Sequence, residues 1–81
     1  MIYSVLNLQR GESGIIQDLA FDEIPLPLIE MGCIPGKEVT LVQVSPMKDP
    51  LYIRVNDSHF AIRQATAACI LLEKITIHAN E

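Results

Sequence analysis

The side chains able to do chemistry in this sequence are few and dispersed. Two cysteines, Cys33 and Cys69, form no CxxC pair and no ladder with the two histidines, His59 and His78. A transition-metal centre needs several converging N, O or S ligands. The weak candidates are Cys33, Asp57 and His59, the last two close together in Asn56-Asp57-Ser58-His59. Cys33 follows Gly32 and precedes Ile34, a setting that favours a small buried apolar group, which is what free cysteine usually is. Cys69, between Ala68 and Ile70, reads the same way. His78, near the C-terminus, is a candidate only for adventitious metal. Glu30 and Glu38 flank one turn as separate carboxylates, the usual arrangement of a solvated surface.

Nucleophilic and phosphate chemistry find no scaffold. Ser13, Ser45 and Ser58 lack a recognisable base and orienting acid. Gly11-Glu12-Ser13-Gly14 is not a nucleophile elbow. Pro35-Gly36-Lys37-Glu38 lacks the earlier glycine and the following Ser or Thr of a phosphate loop. The chain is therefore expected to be non-enzymatic and not to hydrolyse GTP itself.

Bulk properties narrow the classes further. Six Lys and Arg stand against ten Asp and Glu, a net charge of -4, which argues against a nucleic-acid binder that must displace phosphate counterions. No apolar run approaches the ~20 residues that span a bilayer. The opening Met1-Ile2-Tyr3-Ser4 has no basic start and no leader-like apolar run. Reduced thiols and a cytoplasmic chain that is not membrane-inserted are the expectation. At 81 residues and 49% hydrophobic content, a single domain over 1–81 is expected. With aromatics at 5%, its core must be mostly Ile, Leu and Val.

The elements that would position these residues follow from pattern. Residues 2–8 and 15–20 read as strands, joined by the turn chemistry of residues 10–14. Residues 21–32 read as a short helix over 26–31. Asp22 is its cap, Pro25 and Pro27 lie in the first turn, and Gly32 is the left-handed stop. Residues 37–44 are a strand, with Val39 and Leu41 on one face and Val42 and Val44 on the other. Residues 45–50 form a loop. Leu51, Ile53 and Val55 point inward, with Tyr52 and Arg54 outward. After a tight turn, Phe60 and Ile62 share one face and His59, Ala61 and Arg63 the other. Residues 64–68 are a single helical turn before a closing strand, 69–77. Short strands and short loops make this mostly β, a small SH3-like barrel of five to six strands with one short helix.

The order of these residues resembles the FeoA family, the small accessory proteins of bacterial ferrous-iron uptake. Leu6, Gly11, Gly14 and Ile16 fit its opening pattern. Leu28, Met31, Gly32, Pro35, Gly36 and Val39 fit its central "L..LG..PG..V". Pro46, Asp49 and Pro50 follow, then Ile62, Arg63, Ala67, Ile70, Leu72 and Glu73. Two departures stand out: Asn56-Asp57 where the family has a glycine, and a proline-bearing first turn in Glu23-Ile24-Pro25-Leu26-Pro27. The resemblance implies an SH3-like fold and docking on a FeoB-type membrane ferrous-iron transporter with a cytosolic GTPase domain. Such a protein would be cytoplasmic, peripheral to the inner membrane through its partner. The same barrel closes iron-dependent repressors, but this chain has no room for their DNA-binding helices.

No cofactor is required by these residues. The alternative reading, a small protein that carries or senses iron, leaves weakly bound Fe2+ open. With no Trp and four aromatics, an aromatic groove for proline-rich ligands is not expected. An aliphatic groove is, built from the loop 45–50, Tyr52 and the turn at Met31–Gly36. The contact candidates are Met31, Ile34, Lys37, Met47, Asp49 and Tyr52. Substituting Met47 or Asp49 is expected to weaken binding without harming the fold. An unpaired edge strand leaves a homo-oligomer open.

Overall fold

The alternating apolar runs become one antiparallel sheet. A computed structural model describes residues 3–77, with side chains through Glu73. The strands are β1 (Tyr3–Ser4), β2 (Glu12–Leu19), β3 (Glu38–Val44), β4 (Leu51–Val55), β5 (Ser58–Ile62) and β6 (Ile70–Ile77). Helix α1 (Leu26–Glu30) precedes β3 and α2 (Gln64–Ala68) precedes β6. The sheet order is β1-β6-β2-β3-β4-β5, so β1 and β5 are its edges and the barrel is not closed. Strand β2 is shared, pairing with both β3 and β6. Its ladder to β6 slips between Ile15 and Ile16 and again before Asp18. Such bulges bend a strand and increase its twist, which curls the sheet around one core.

That core is aliphatic, as the composition requires. Ile16, Val39, Leu41, Ile53, Val55, Ile70 and Val5 are at most 1% exposed, and Cys33 and Ala67 lie among them. Truncating one of the large members to Ala costs about 2–5 kcal/mol.

The structure corrects four expectations. The first strand is only two residues long, and Val5–Asn7 form a 3-10 turn. Ser4 Oγ accepts from Leu6 N at 3.1 Å and Asn7 Oδ1 accepts from Ser4 N at 2.7 Å. Ser and Asn side chains thereby offer the backbone an alternative to the ladder. Ile2 lies outside the described residues. Second, β2 begins at Glu12, three residues earlier than expected, with Ser13 and Gly14 paired to Thr40 and Val39. Third, Asp22 does not cap α1: it sits in a separate 3-10 turn, Phe21–Glu23, and Pro25 is the N-cap without a side-chain bond. Fourth, Val42 and Val44 do not share a face. The β3–β4 register slips between Leu41 and Gln43, so Val44 lies opposite inward Leu51 and packs on the core. A one-residue slip exchanges faces for everything beyond it.

The end of α1 follows the expected chemistry. Gly32 has φ +107°. Cys33 N donates to Leu28 O at 3.0 Å and Gly32 N to Ile29 O at 3.1 Å, which satisfies two orphan carbonyls. The next corner is a turn with Pro35 and Gly36 at its centre, Gly36 at φ +95°, closed by Lys37 N donating to Ile34 O.

Candidate functional site

Helix α1 and the turn after it are pinned to the sheet from below and from the side. Leu28 and Cys33 are buried in the core. Gly36 N donates to Ile16 O and Ile16 N to Lys37 O, both at 2.8 Å, so the Ile34–Lys37 turn is seated at the β2 bulge. Asn56, at φ 56° in the β4–β5 turn, donates from Nδ2 to Met31 O at 3.3 Å. Asn thus takes the left-handed position that glycine holds in the family pattern, and uses its amide to tie two turns together.

Cys33 has no exposed surface, and burial pushes its thiol up from 9.0 to about 11. Without a metal it is protonated at neutral pH, and it packs among the apolar side chains of the core. Asp57 and His59 are exposed on and beside the β4–β5 turn, and His59 lies directly opposite Arg54 on β4. Among the described residues no three His, Cys, Asp or Glu side chains converge on one point. His78 lies outside the described residues. Of Ser13, Ser45 and Ser58, Ser13 is buried with its Oγ 2.6 Å from Thr40 Oγ1, a neutral pair rather than a nucleophile beside a base.

The contact candidates separate into two groups. Met31 (49% exposed), half-buried Ile34 and exposed Lys37 lie at the start of β3, beside the β4–β5 turn. Met47 and Asp49 lie past its other end. Strand β3 is seven residues long, so roughly 20 Å separates the two groups and they do not line one groove. The loop 45–50 is a tight turn with Pro46 and Met47 at its centre, Lys48 N donating to Ser45 O at 2.8 Å. Met47 is 84% exposed at its tip. The loop is tied to α2, because Gln64 Nε2 donates to Lys48 O at 2.6 Å and Gln64 N to Asp49 Oδ1 at 2.9 Å. Asp49 therefore serves as the first-turn acceptor of α2 and also faces Arg63 at 3.8 Å. A substitution there therefore removes a hydrogen bond inside the protein as well as a surface carboxylate.

Tyr52 belongs to neither group. It lines a shallow groove on the outer face with Val42, Gln43, His59, Phe60 and Ala61. The alternation in β4 and β5 marked Tyr52, His59 and Ala61 as outward. Alternation in β3 also puts Val42 on that side, whereas Gln43 comes opposite Tyr52 only through the β3 bulge. Sequence reasoning also passed over Phe21, in the 3-10 turn before α1, and Leu26, the first residue of α1, which are 51% and 62% exposed. Pro25 and Pro27 were the legible signal there, because they shorten the helix and leave few of its residues facing inward.

Residues 3–74 match the model of the FeoA domain. The chain belongs to the FeoA family. A curated relative, the "Fe(2+) transport protein A/Fe(2+) transporter FeoB fusion protein" of Porphyromonas gingivalis, is 40% identical over 53 residues. That match covers 65% of this chain and 6% of the relative, so the chain corresponds to a small part of that protein. Among solved structures, iron(II) transport protein A from Clostridium thermocellum is 25% identical with a TM-score of 0.72, covering 95% of this chain and 46% of that one. FeoA from Stenotrophomonas maltophilia, solved with zinc and described as a procaryotic SH3 domain protein, has a TM-score of 0.78 at 24% identity. It covers 93% of this chain and 96% of its own, and carries the fold comparison: this FeoA chain has the SH3-like architecture. Among the described residues no helix is long and apolar enough to cross a membrane.

Proposed function

We propose that this FeoA chain is a non-enzymatic accessory protein of ferrous-iron uptake that docks on the cytosolic side of a GTPase-bearing, FeoB-type membrane transporter. The observation that carries this reading is the relative from P. gingivalis, in which a matching segment stands in one chain with a ferrous-iron transporter. Fusing two modules makes their encounter intramolecular and raises its effective concentration. A surface that works in the fused protein has the same work to do when the modules are separate chains. The rest of the molecule accords with a contact module. The exposed side chains of Met31 and Met47 sit on turns held by backbone hydrogen bonds.

The docking surface of this proposal is drawn from Met31, Ile34 and Lys37 at one end of β3 or from Met47 and its loop at the other. Titrating the labelled protein with the soluble GTPase domain of the transporter from the same cell tests it through backbone amide shifts. Localised shifts at residues 31–37 or 46–52 are expected and name the end in use. No shift with or without a GTP analogue removes docking on that domain. Saturable, stoichiometric Fe2+ binding by the isolated chain would then favour a carrier or sensor.

A further inference from the structure

The proline-bearing turn and α1 present a surface that the rest of the chain does not explain. In α1 the inward arc is occupied by Leu28 and half-buried Ile29. Successive residues are ~100° apart around a helix, so Leu26, Pro27, Glu30 and Met31 fall on the opposite arc, and all four are exposed. Leu26 is 62% exposed, Met31 49%, and Phe21, in the preceding 3-10 turn, 51%. Single exposed apolar residues are ordinary, but a proline-stiffened group of a Phe, a Leu and a Met within eleven residues is a contact surface by composition.

Charge says what covers it. Residues 11–36 contain five Asp and Glu and not one Lys or Arg, although the chain has six basic residues. Asp22 and Glu23 follow Phe21 in sequence, Glu30 precedes Met31, and all three are exposed. None of the three takes part in an ion pair or side-chain hydrogen bond among the described residues. An acidic rim around Met, Leu and Phe repels anionic lipid. It also opposes a symmetric pairing of two copies, which would set Asp22, Glu23 and Glu30 against their own equivalents. It attracts a cationic segment with its own apolar stripe.

We propose that the Phe21–Met31 lobe is a docking site for a basic amphipathic segment of another protein, held by Phe21, Leu26 and Met31 and steered by Asp22, Glu23 and Glu30. This goes beyond the transporter reading and does not depend on which protein carries the segment. The test uses the full chain and a synthetic fourteen-residue helical peptide of Lys and Leu, with the Glu and Leu counterpart as its partner probe. Backbone amide shifts from the Lys peptide are expected to centre on residues 21–31, weaken as salt is raised, and be absent with the Glu peptide. Leu26→Ser with Met31→Ser is expected to weaken binding about ten-fold, the scale of losing exposed anchors. Replacing Asp22, Glu23 and Glu30 by their amides should weaken it comparably, with the amide spectrum of the fold retained. Leu6→Ser, removing an exposed apolar side chain that belongs to no proposed contact surface, should leave affinity unchanged. Equal shifts with the Glu peptide, shifts centred outside 21–31, or an equal loss in Leu6→Ser would overturn the proposal. So would concentration-dependent shifts of the same residues without peptide, which would make the occupant a second copy.

Discussion

Gly32→Ala isolates the junction on which the α1 face depends. Two costs add at this position. The backbone stands at φ +107°, beyond the region an L side chain adopts comfortably, and such strain is worth about 1–3 kcal/mol. A Cβ built there would also run into Asn56 Nδ2. That amide sits at the end of a short side chain and is free to swing away, at the expense of its 3.3 Å bond to Met31 O. An exposed hydrogen bond of this kind contributes about 0.5–1 kcal/mol. The sum is a loss of roughly 1.5–4 kcal/mol. Urea unfolding followed by circular dichroism reads it as a lower midpoint at unchanged slope. The double variant Gly32→Ala with Asn56→Gly separates the two parts. Removing the amide leaves the φ cost and abolishes the collision, so the alanine should cost about 0.5–1 kcal/mol less in the Asn56→Gly background. A loss under about 1 kcal/mol in the single variant would refute the left-handed assignment. Strict additivity in the double variant would refute the contact between the two turns.

Three further outcomes follow from the same geometry. The Cys33 thiol is raised in the folded protein to about 11 from 9.0. Stability should hold steady below pH 9 and then fall as the unfolded chain ionises first. The fall totals about 2–3 kcal/mol by pH 11 and should be missing in Cys33→Ala; alkylation of native protein should modify half-buried Cys69 well before Cys33. Ser13→Ala leaves the Thr40 hydroxyl buried without its 2.6 Å partner and should cost about 1–3 kcal/mol. Ser13→Ala with Thr40→Val should recover most of that loss, measured by the same unfolding curves. Asp49→Ala removes the acceptor for Gln64 N and should lower stability by about 0.5–2 kcal/mol, whereas Asp49→Asn, which keeps an acceptor oxygen, should lose less. Equal losses in the two would assign the effect to the exposed Arg63 pair instead.

What was legible in the sequence was local. Period-two alternation placed Leu51, Ile53 and Val55 inward and Tyr52 outward, because a strand leaves no other choice of face. Gly32, Pro35 and Gly36 marked a helix end and a turn, because their backbone preferences hold whatever surrounds them. The ordered set of glycines, prolines and apolar residues was enough to point to the FeoA family. Composition likewise set an Ile, Leu and Val core.

What tertiary structure decided was every feature that depends on a partner distant in sequence. The β3 bulge turned Val44 inward, since register is negotiated between strands and not within one. Asp49 became the acceptor for the first amide of α2, fifteen residues onward, a role no local pattern announces. The two groups of contact candidates were pushed to opposite ends of β3, because its seven residues are extended while a list of residues has no length. The buried setting of Cys33 came from α1 folding back on the sheet. The apolar face of Leu26 and Met31 was left to solvent by the same movement, because a five-residue helix has too little circumference to bury every apolar side chain it carries.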